Sequence, residues 1–323
     1  MMKYVRMLAI AAATAFGLGQ GAAQTYPTRT IKIIVSTSAG GVTDLTARIL
    51  GQHITAKTGQ AVVIDNRSGG SGNIAVEAMT KANPDGYTLG VVNTGNIVII
   101  PFLYRLTFDP LNDLVPVGVI GMVPLFLVMN SQVPAKSLQE FIAYAKANPD
   151  KINYASAGAG TTPDLAAVEF GRRAGLKLVF VPFRGTAPAV GAVLGGDVQV
   201  TFVSMGPHIE FVREGKLRVL GSTTAKRLPY MPEVPTFTEQ GFPGFEISTW
   251  FALYAPRGTP KEIVDRLNGF VRQLGEEPDA RRRLEASFID PSSMTAEEFA
   301  VLVKADAAKW ERIVREADIK PAQ

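Results

Sequence analysis

The chain has 323 residues, a formal net charge of +4 and no cysteine. Without cysteine there is no disulfide framework, thiolate nucleophile, soft metal site or N-terminal lipid anchor, so a packed core must supply stability, and this length allows two lobes. The basic residues are scattered; their one cluster, Arg281-Arg-Arg283, reads as a solvated helix face rather than the basic stripe of a nucleic-acid binder.

The first residues read as an address. Lys3 and Arg6 precede an apolar or small stretch, Met7–Gly19, and Gly21-Ala-Ala23 stands before Gln24. That pattern predicts a secretory signal peptide over residues 1–23, cleaved after Ala23. Its apolar part is shorter than the roughly 20 residues needed to span a bilayer. No later segment reaches that length without a charge or proline, so a soluble periplasmic chain is expected.

Strand and helix signals then alternate. Apolar, often β-branched runs predict strands at Ile31–Ser36, Val62–Asn66, Tyr87–Asn93, Leu125–Asn130, Ile152–Ala157, Leu178–Phe183, Val198–Ser204, Leu217–Ser222 and Trp250–Ala255. Most are short and apolar on both faces, as buried parallel strands are. Helical spacing lies between them, as in Leu138, Phe141, Ile142 and Ala145. The alternation predicts an α/β fold of parallel sheets with helices on both faces. Lys-Ala-Asn-Pro-Asp occurs at 81–85 and again at 146–150, each time between a helix and a strand. Proline stops the helix in both, and the repeat supports two similar lobes. From Pro260 onward only helices are expected. One carries the stripe Ile263, Val264, Leu267, Phe270, Val271 and Leu274; another opens on the capping box Thr295-Ala-Glu-Glu298 and buries Phe299, Val303 and Trp310.

The most informative stretch is Ser36-Thr-Ser-Ala-Gly-Gly-Val-Thr-Asp44: a strand, a glycine turn and a helix start in that order. Free N–H groups and the helix dipole favour an anion there, and Gly40 and Gly41 let the backbone come close to it. A second such loop, Ala155-Ser-Ala-Gly-Ala-Gly-Thr161, leads into Thr162-Pro-Asp164, with Pro163 suited to the first helical position. Polar, small-residue loops also follow the other strands, and ligands in open α/β sheets bind outside strand C-terminal ends. The candidate ligand-binding residues are therefore Ser38, Ala39, Gly40, Gly41, Thr43, Asp44, Asn66, Thr94, Asn96, Ser156, Gly158, Gly160, Thr161, Asp164, Arg184, Gly185, Thr186 and Ser204. Two facing helix N-termini would suit a small molecule with an anionic group at one or both ends. Local helix capping would use the same residues.

Catalytic and cofactor signatures are sparse. The two histidines, His53 and His208, are far apart; His53 is expected on a helix surface, and His208 could lie near a cleft. No H-E-x-x-H, G-x-S-x-G or Walker loop occurs. Gly70-Ser-Gly72-Asn-Ile-Ala75 fits a dinucleotide fingerprint, but the following strand ends Val92-Asn-Thr-Gly-Asn96 without an acid for the ribose. No cofactor, metal or catalytic residue is expected.

The chain resembles the Bug family, the periplasmic solute receptors of tripartite tricarboxylate transporters, from about Tyr26 to about Ile319. The resemblance is carried by Ala39-Gly-Gly-Val-Thr-Asp44, Val63-Ile-Asp-Asn-Arg67 with Gly70-Ser-Gly-Asn73, Pro84-Asp-Gly-Tyr-Thr-Leu89, Tyr154-Ala-Ser-Ala-Gly-Ala-Gly-Thr161 and Val181-Pro-Phe-Arg-Gly-Thr-Ala187. Pro232-Glu-Val-Pro-Thr236, Trp250-Phe-Ala-Leu-Tyr-Ala-Pro256 and Gly258-Thr-Pro-Lys-Glu262 continue it.

The resemblance implies a type II periplasmic-binding-protein fold: two α/β lobes joined by crossing strands near Pro124 and Ile247, with the ligand between them. Lobe 1 would comprise 24–124 plus 246–323, and lobe 2 would comprise 125–245. It implies a non-enzymatic, monomeric receptor that hands a small carboxylate to the membrane subunits of a tripartite transporter. A ligand sensor for a membrane signalling partner, or an α/β enzyme acting on a small carboxylate, stands as the alternative. Two positions depart from the family pattern, which usually has His where this chain has Asp164 and often Asp-Asn where it has Val203-Ser204. Asp164 then has two readings: a first-turn acid that stabilises its own helix, or a carboxylate facing the cleft and opposing a second ligand carboxylate.

Overall fold

Alternation along the first strand sorts the core of the amino-terminal half. In β1 (Ile31–Val35), Ile31, Ile33 and Val35 pack on one face with Leu50, Leu267 and Phe270, while Ile34 joins Ile97, Trp250 and Phe299 on the other. The computed structural model describes residues 26–316, except 157, 159, 184 and 185 and the side chain of Ser71. The expected signal peptide lies outside the described residues.

The strands that follow are β2 (Val62–Asn66), β3 (Thr88–Asn93), β4 (Leu114–Pro124), β5 (Phe126–Asn130), β6 (Asn153–Ser156) and β7 (Val179–Pro182). They continue with β8 (Val200–Val203), β9 (Leu217–Ser222), β10 (Ser248–Pro256) and β11 (Asp290–Pro291). One sheet has the order β11-β4-β10-β3-β1-β2, and the other β7-β6-β8-β5-β9.

The sheets are mixed, which corrects the parallel expectation. β1 runs parallel to β2 and β3, and β6 parallel to β7 and β8, where helices make the crossovers. β10 is antiparallel to β3 and β4, and β5 is antiparallel to β8 and β9. The chain leaves one sheet along β4 and returns along β10, so these neighbours must run in opposite directions; Ser248 pairs with Pro124 at the crossing. β4 is the longest strand and has no counterpart among the predicted ones. Its Pro116, Gly118, Gly121 and Pro124 read as turn signals. At Gly121 the short edge strand β11 approaches so closely that a Cβ would run into Ile289. β11 also interrupts the all-helical expectation for the carboxyl-terminal part.

Thr223 pins both crossings. Its hydroxyl accepts from Leu125 N–H (3.1 Å) and lies within hydrogen-bonding distance of the Ile247 carbonyl. Its N–H donates to the Leu125 carbonyl (2.9 Å), and its own carbonyl accepts from Ile247 N–H (3.1 Å). The capping box forms as expected: Glu298 N–H donates to Thr295 Oγ1 (3.1 Å), and Thr295 N–H to Glu298 Oε2 (2.8 Å). His53 is buried rather than on the surface. Glu277, brought from the far end of the chain, takes a hydrogen bond at 3.2 Å, while burial lowers the imidazole pKa against the pull of that carboxylate. Among the described residues no helix is long and apolar enough to cross a membrane.

Candidate functional site

A cavity of about 120 Å³ lies where the two sheets meet. The β1/β10 side contributes Val42, Val123, Thr249 and Phe251; the β5/β8 side contributes Pro163, Thr186, Ala189 and the β8 end, Thr201–Ser204; Leu125 lines it at the crossing. Thr249 and Phe251 share a face of β10 by alternation. No charged side chain among the described residues lines it. A larger depression of about 810 Å³ borders the crossing strands, but Glu246, Asp290, Glu298 and Asp306 face it against a single Lys309, a balance unsuited to an anion.

The two candidate loops have one design. Helix Val42–Thr58 starts from Gly41, which has no side chain to cap it, and helix Thr162–Ala174 from Thr161, whose side chain makes no bond to its own helix. Four residues before the third residue of each helix stands a glycine with positive φ, Gly40 (89°) and Gly160 (75°). Each donates its N–H to that third residue's carboxylate, Gly40 to Asp44 (2.9 Å) and Gly160 to Asp164 (2.8 Å). The aspartates thus close their loops from within, as a reach-back acid does in a capping box. The first-turn N–H groups have no intrahelical acceptor. Val42 and Pro163, in those first turns, line the cavity from opposite sides. Pro163 is the second helical residue, not the first as expected, and has no N–H to offer.

Electrostatics separates the two aspartates. Burial would raise the Asp44 carboxyl, but the Arg48 guanidinium (2.9 Å), the Gly40 N–H and the Asn66 amide (3.0 Å) hold it below the usual carboxylate range. Asp164 has no cation beside it among the described residues. Burial raises its pKa despite hydrogen bonds from Gly160 N–H and from the Tyr154 hydroxyl (3.0 Å).

The other candidates divide by position. Ser38, Ala39, Gly40 and Gly41 are exposed on the first loop, and Thr43 is buried beneath it. Asn66 braces that loop by donating to the Thr37 carbonyl (3.0 Å) and to Asp44. Thr94 is fully buried and accepts from Trp250 N–H (2.8 Å), so it joins β3 to β10 and offers nothing to a ligand. Asn96 Oδ1 accepts from the Ser36 hydroxyl (2.7 Å), and Gly72 must be glycine because a Cβ would strike the Asn96 amide. Gly72 of the dinucleotide-like motif therefore serves close packing of two loops. In the second loop Ser156 and Thr161 hydroxyls both donate to the Gly158 carbonyl (3.0 and 2.9 Å). Thr186 and Ser204 line the cavity, whereas Arg184 and Gly185 lie outside the described residues. His208 is buried against Phe211 and does not line the cavity.

The apolar lining was not among the candidates: Val42, Val123, Leu125, Phe202, Val203 and Phe251 look in sequence like any core residue. Thr37 was also missed. Its Oγ1 is buried without a partner and would sit 3.7 Å from a Cβ on Gly41, a hydroxyl held beside the helix N-terminus. Outside the cavity the lobes touch where Leu103 packs on Gly160, where Phe288 meets Tyr230 edge to face (5.3 Å), and where Arg312 faces the buried Glu169 (3.6 Å).

Two mixed α/β sheets joined by antiparallel crossing strands, with paired helix N-termini at the junction, define the two-lobed periplasmic-binding fold. The chain belongs to the tripartite tricarboxylate transporter receptor family, whose model matches residues 46–319. It is 33% identical to protein BugT of Bordetella pertussis over 322 residues, covering 99% of each chain. Among solved structures it is similar to Rpa4515 of R. palustris with adipate (34% identity, TM-score 0.80, covering 92% of this chain and 100% of that one). It is also similar to MatC of Rhodopseudomonas palustris with bound malate (33% identity, TM-score 0.74, covering 90% and 100%). The family consists of periplasmic solute-binding receptors.

Proposed function

We propose that this chain captures a small organic carboxylate between its lobes and delivers it to the membrane subunits of a tripartite tricarboxylate transporter. The observation that carries the reading is the mirrored pair of loops: two helix N-termini without side-chain caps flank a cavity that no described charged side chain lines. Dipoles and N–H groups fixed in a partly dry cleft stabilise an anion without a lysine or arginine clamp. The ligands of the two relatives, adipate and malate, are both dicarboxylates. Residues 24–124 with 246–323 form one moving body and 125–245 the other. A ligand touching both raises the population of the closed state by its differential affinity for it. The chain acts as a monomer with one ligand, binds no nucleic acid and catalyses no reaction. Export follows the signal peptide, with cleavage after Ala23.

Thermal denaturation against mono-, di- and tricarboxylates, amino acids and aromatic acids tests the reading. A true ligand at 100 times its Kd adds about 2.7 kcal/mol. Gly41→Val locates the site: Gly41 has ordinary φ, and a Cβ there meets nothing nearer than 3.7 Å, so the fold tolerates the change while the bulk blocks approach to the helix N-terminus. No response to any carboxylate, or an unchanged response in Gly41→Val, refutes the proposal.

A further inference from the structure

The walls of the cavity say more about the ligand than its ends do. Resting on the carboxylate reading above, we infer that the preferred ligand has an unsubstituted carbon body: a short dicarboxylate carrying neither hydroxyl nor amino group between its acid groups. The residues between the two helix N-termini are Val42, Val123, Leu125, Phe202, Val203 and Phe251. Four of the lining residues carry hydroxyls, and the Thr201 hydroxyl is spent on the Ala155 carbonyl (2.8 Å). Thr186, Ser204 and Thr249 remain.

Two carboxylates accept up to about eight hydrogen bonds. Asp164 and Asp44 have already taken the Gly160 and Gly40 N–H groups, and Pro163 removes another donor from the second helix. Among the described residues the donors left for the ligand's acid groups are the remaining first-turn N–H groups, these three hydroxyls and the Thr37 hydroxyl. A hydroxyl or ammonium in mid-chain would be pressed against valine, leucine and phenyl groups and lose its water without replacement. The size agrees. A dry apolar cavity of about 150 Å³ takes a six-carbon ring, so about 120 Å³ suits the methylenes of a four- to six-carbon chain whose carboxylates extend to the loops.

Calorimetry with succinate, glutarate and adipate against malate, tartrate and aspartate tests the inference on the mature protein. An apolar wall rejects an added hydroxyl by roughly ten- to a hundredfold, so malate is expected to bind at least tenfold more weakly than succinate. Val42→Thr supplies the control. Val42 is 38% exposed and keeps its shape as threonine, so folding is preserved while the wall gains one hydroxyl. The succinate-to-malate ratio should then fall at least threefold. Malate, tartrate or aspartate binding as tightly as succinate overturns the inference but leaves the carboxylate receptor standing, as does a ratio unmoved by Val42→Thr. Failure of all six acids to bind removes the receptor reading and this inference with it.

Discussion

Replacing Asp164 by asparagine separates a loop-forming carboxylate from one that meets the ligand. Asp164 is 3% exposed, does not line the cavity, and accepts from Gly160 N–H and the Tyr154 hydroxyl. Asparagine keeps one oxygen for Gly160 and presents an amide to which the Tyr154 hydroxyl can turn as acceptor, so the loop survives. The cost is the first-turn attraction of a charge to the helix dipole, about 0.3–1 kcal/mol. Alanine strands both donors, and at about 1–3 kcal/mol for each buried unsatisfied group the loss is about 2–6 kcal/mol. Ligand affinity reads differently. A carboxylate facing a ligand carboxylate at about 5 Å would repel it by about 3 kcal/mol at an effective dielectric near 20. Its removal would tighten dicarboxylate binding more than about a hundredfold. The observed contacts predict a change in Kd below about threefold for Asp164→Asn, with calorimetry reading affinity and urea denaturation reading stability. A hundredfold tightening would refute the loop role and turn the carboxylate toward the cleft.

Burial, with Glu285 nearby, pushes the Asp290 carboxyl up from 3.8 to about 6. The native state therefore holds a proton that the unfolded chain has released, and stability falls as pH rises from about 4 to 6, by up to about 3 kcal/mol. Asp290→Asn should flatten that limb of the urea-denaturation pH profile and stabilise the protein at neutral pH; an unchanged profile rules out the assignment. Phe288 holds φ 57° while its ring meets Tyr230 of the other lobe. Glycine there should be about 1 kcal/mol more stable than alanine, because both lose the ring and only glycine relaxes the backbone; the reverse order in thermal melts contradicts this. Thr223→Val leaves Leu125 N–H without its hydroxyl acceptor at the crossing and should cost about 1–3 kcal/mol. A stability within about 0.5 kcal/mol of the parent would show that the crossing is held by other contacts.

The strands that paired in parallel were legible because runs such as Ile31–Val35 and Val62–Asn66 are β-branched and bounded by polar turns. β4 was not, since its glycines answer to a partner far along the chain: Gly121 is small because Ile289 lies against it. The same long range hid the burial of His53, whose partner Glu277 sits 224 residues away. The glycine turn and helix start of both loops could be read, because glycine before a helix start is a local signal. The role of their aspartates could not, since a first-turn acid looks the same whether it turns back to the loop or out to a ligand. The apolar wall was least legible, because Phe251 and Val203 follow the alternation of any buried strand.

The near-identity of the two loops bears on how the protein releases what it holds. In each lobe the charge that organises the loop, Asp44 or Asp164, is turned inward and satisfied by the loop's own N–H groups. What faces the cavity is a set of small dipoles without a described cation. Such dipoles act strongly only at close range and with water excluded, unlike a lysine or arginine, whose attraction extends over a Debye length of about 8 Å. On the proposed reading neither lobe alone would hold the anion well, and affinity would depend on both lobes being present at once. Opening by even a few ångströms would then separate a ligand from one helix N-terminus and let water back to its carboxylate. The outer contacts, Leu103 on Gly160, Phe288 on Tyr230 and Arg312 toward Glu169, lie outside the cavity. They set the cost of opening independently of ligand chemistry, so a membrane partner that disrupts them would lower affinity for any ligand in the cavity.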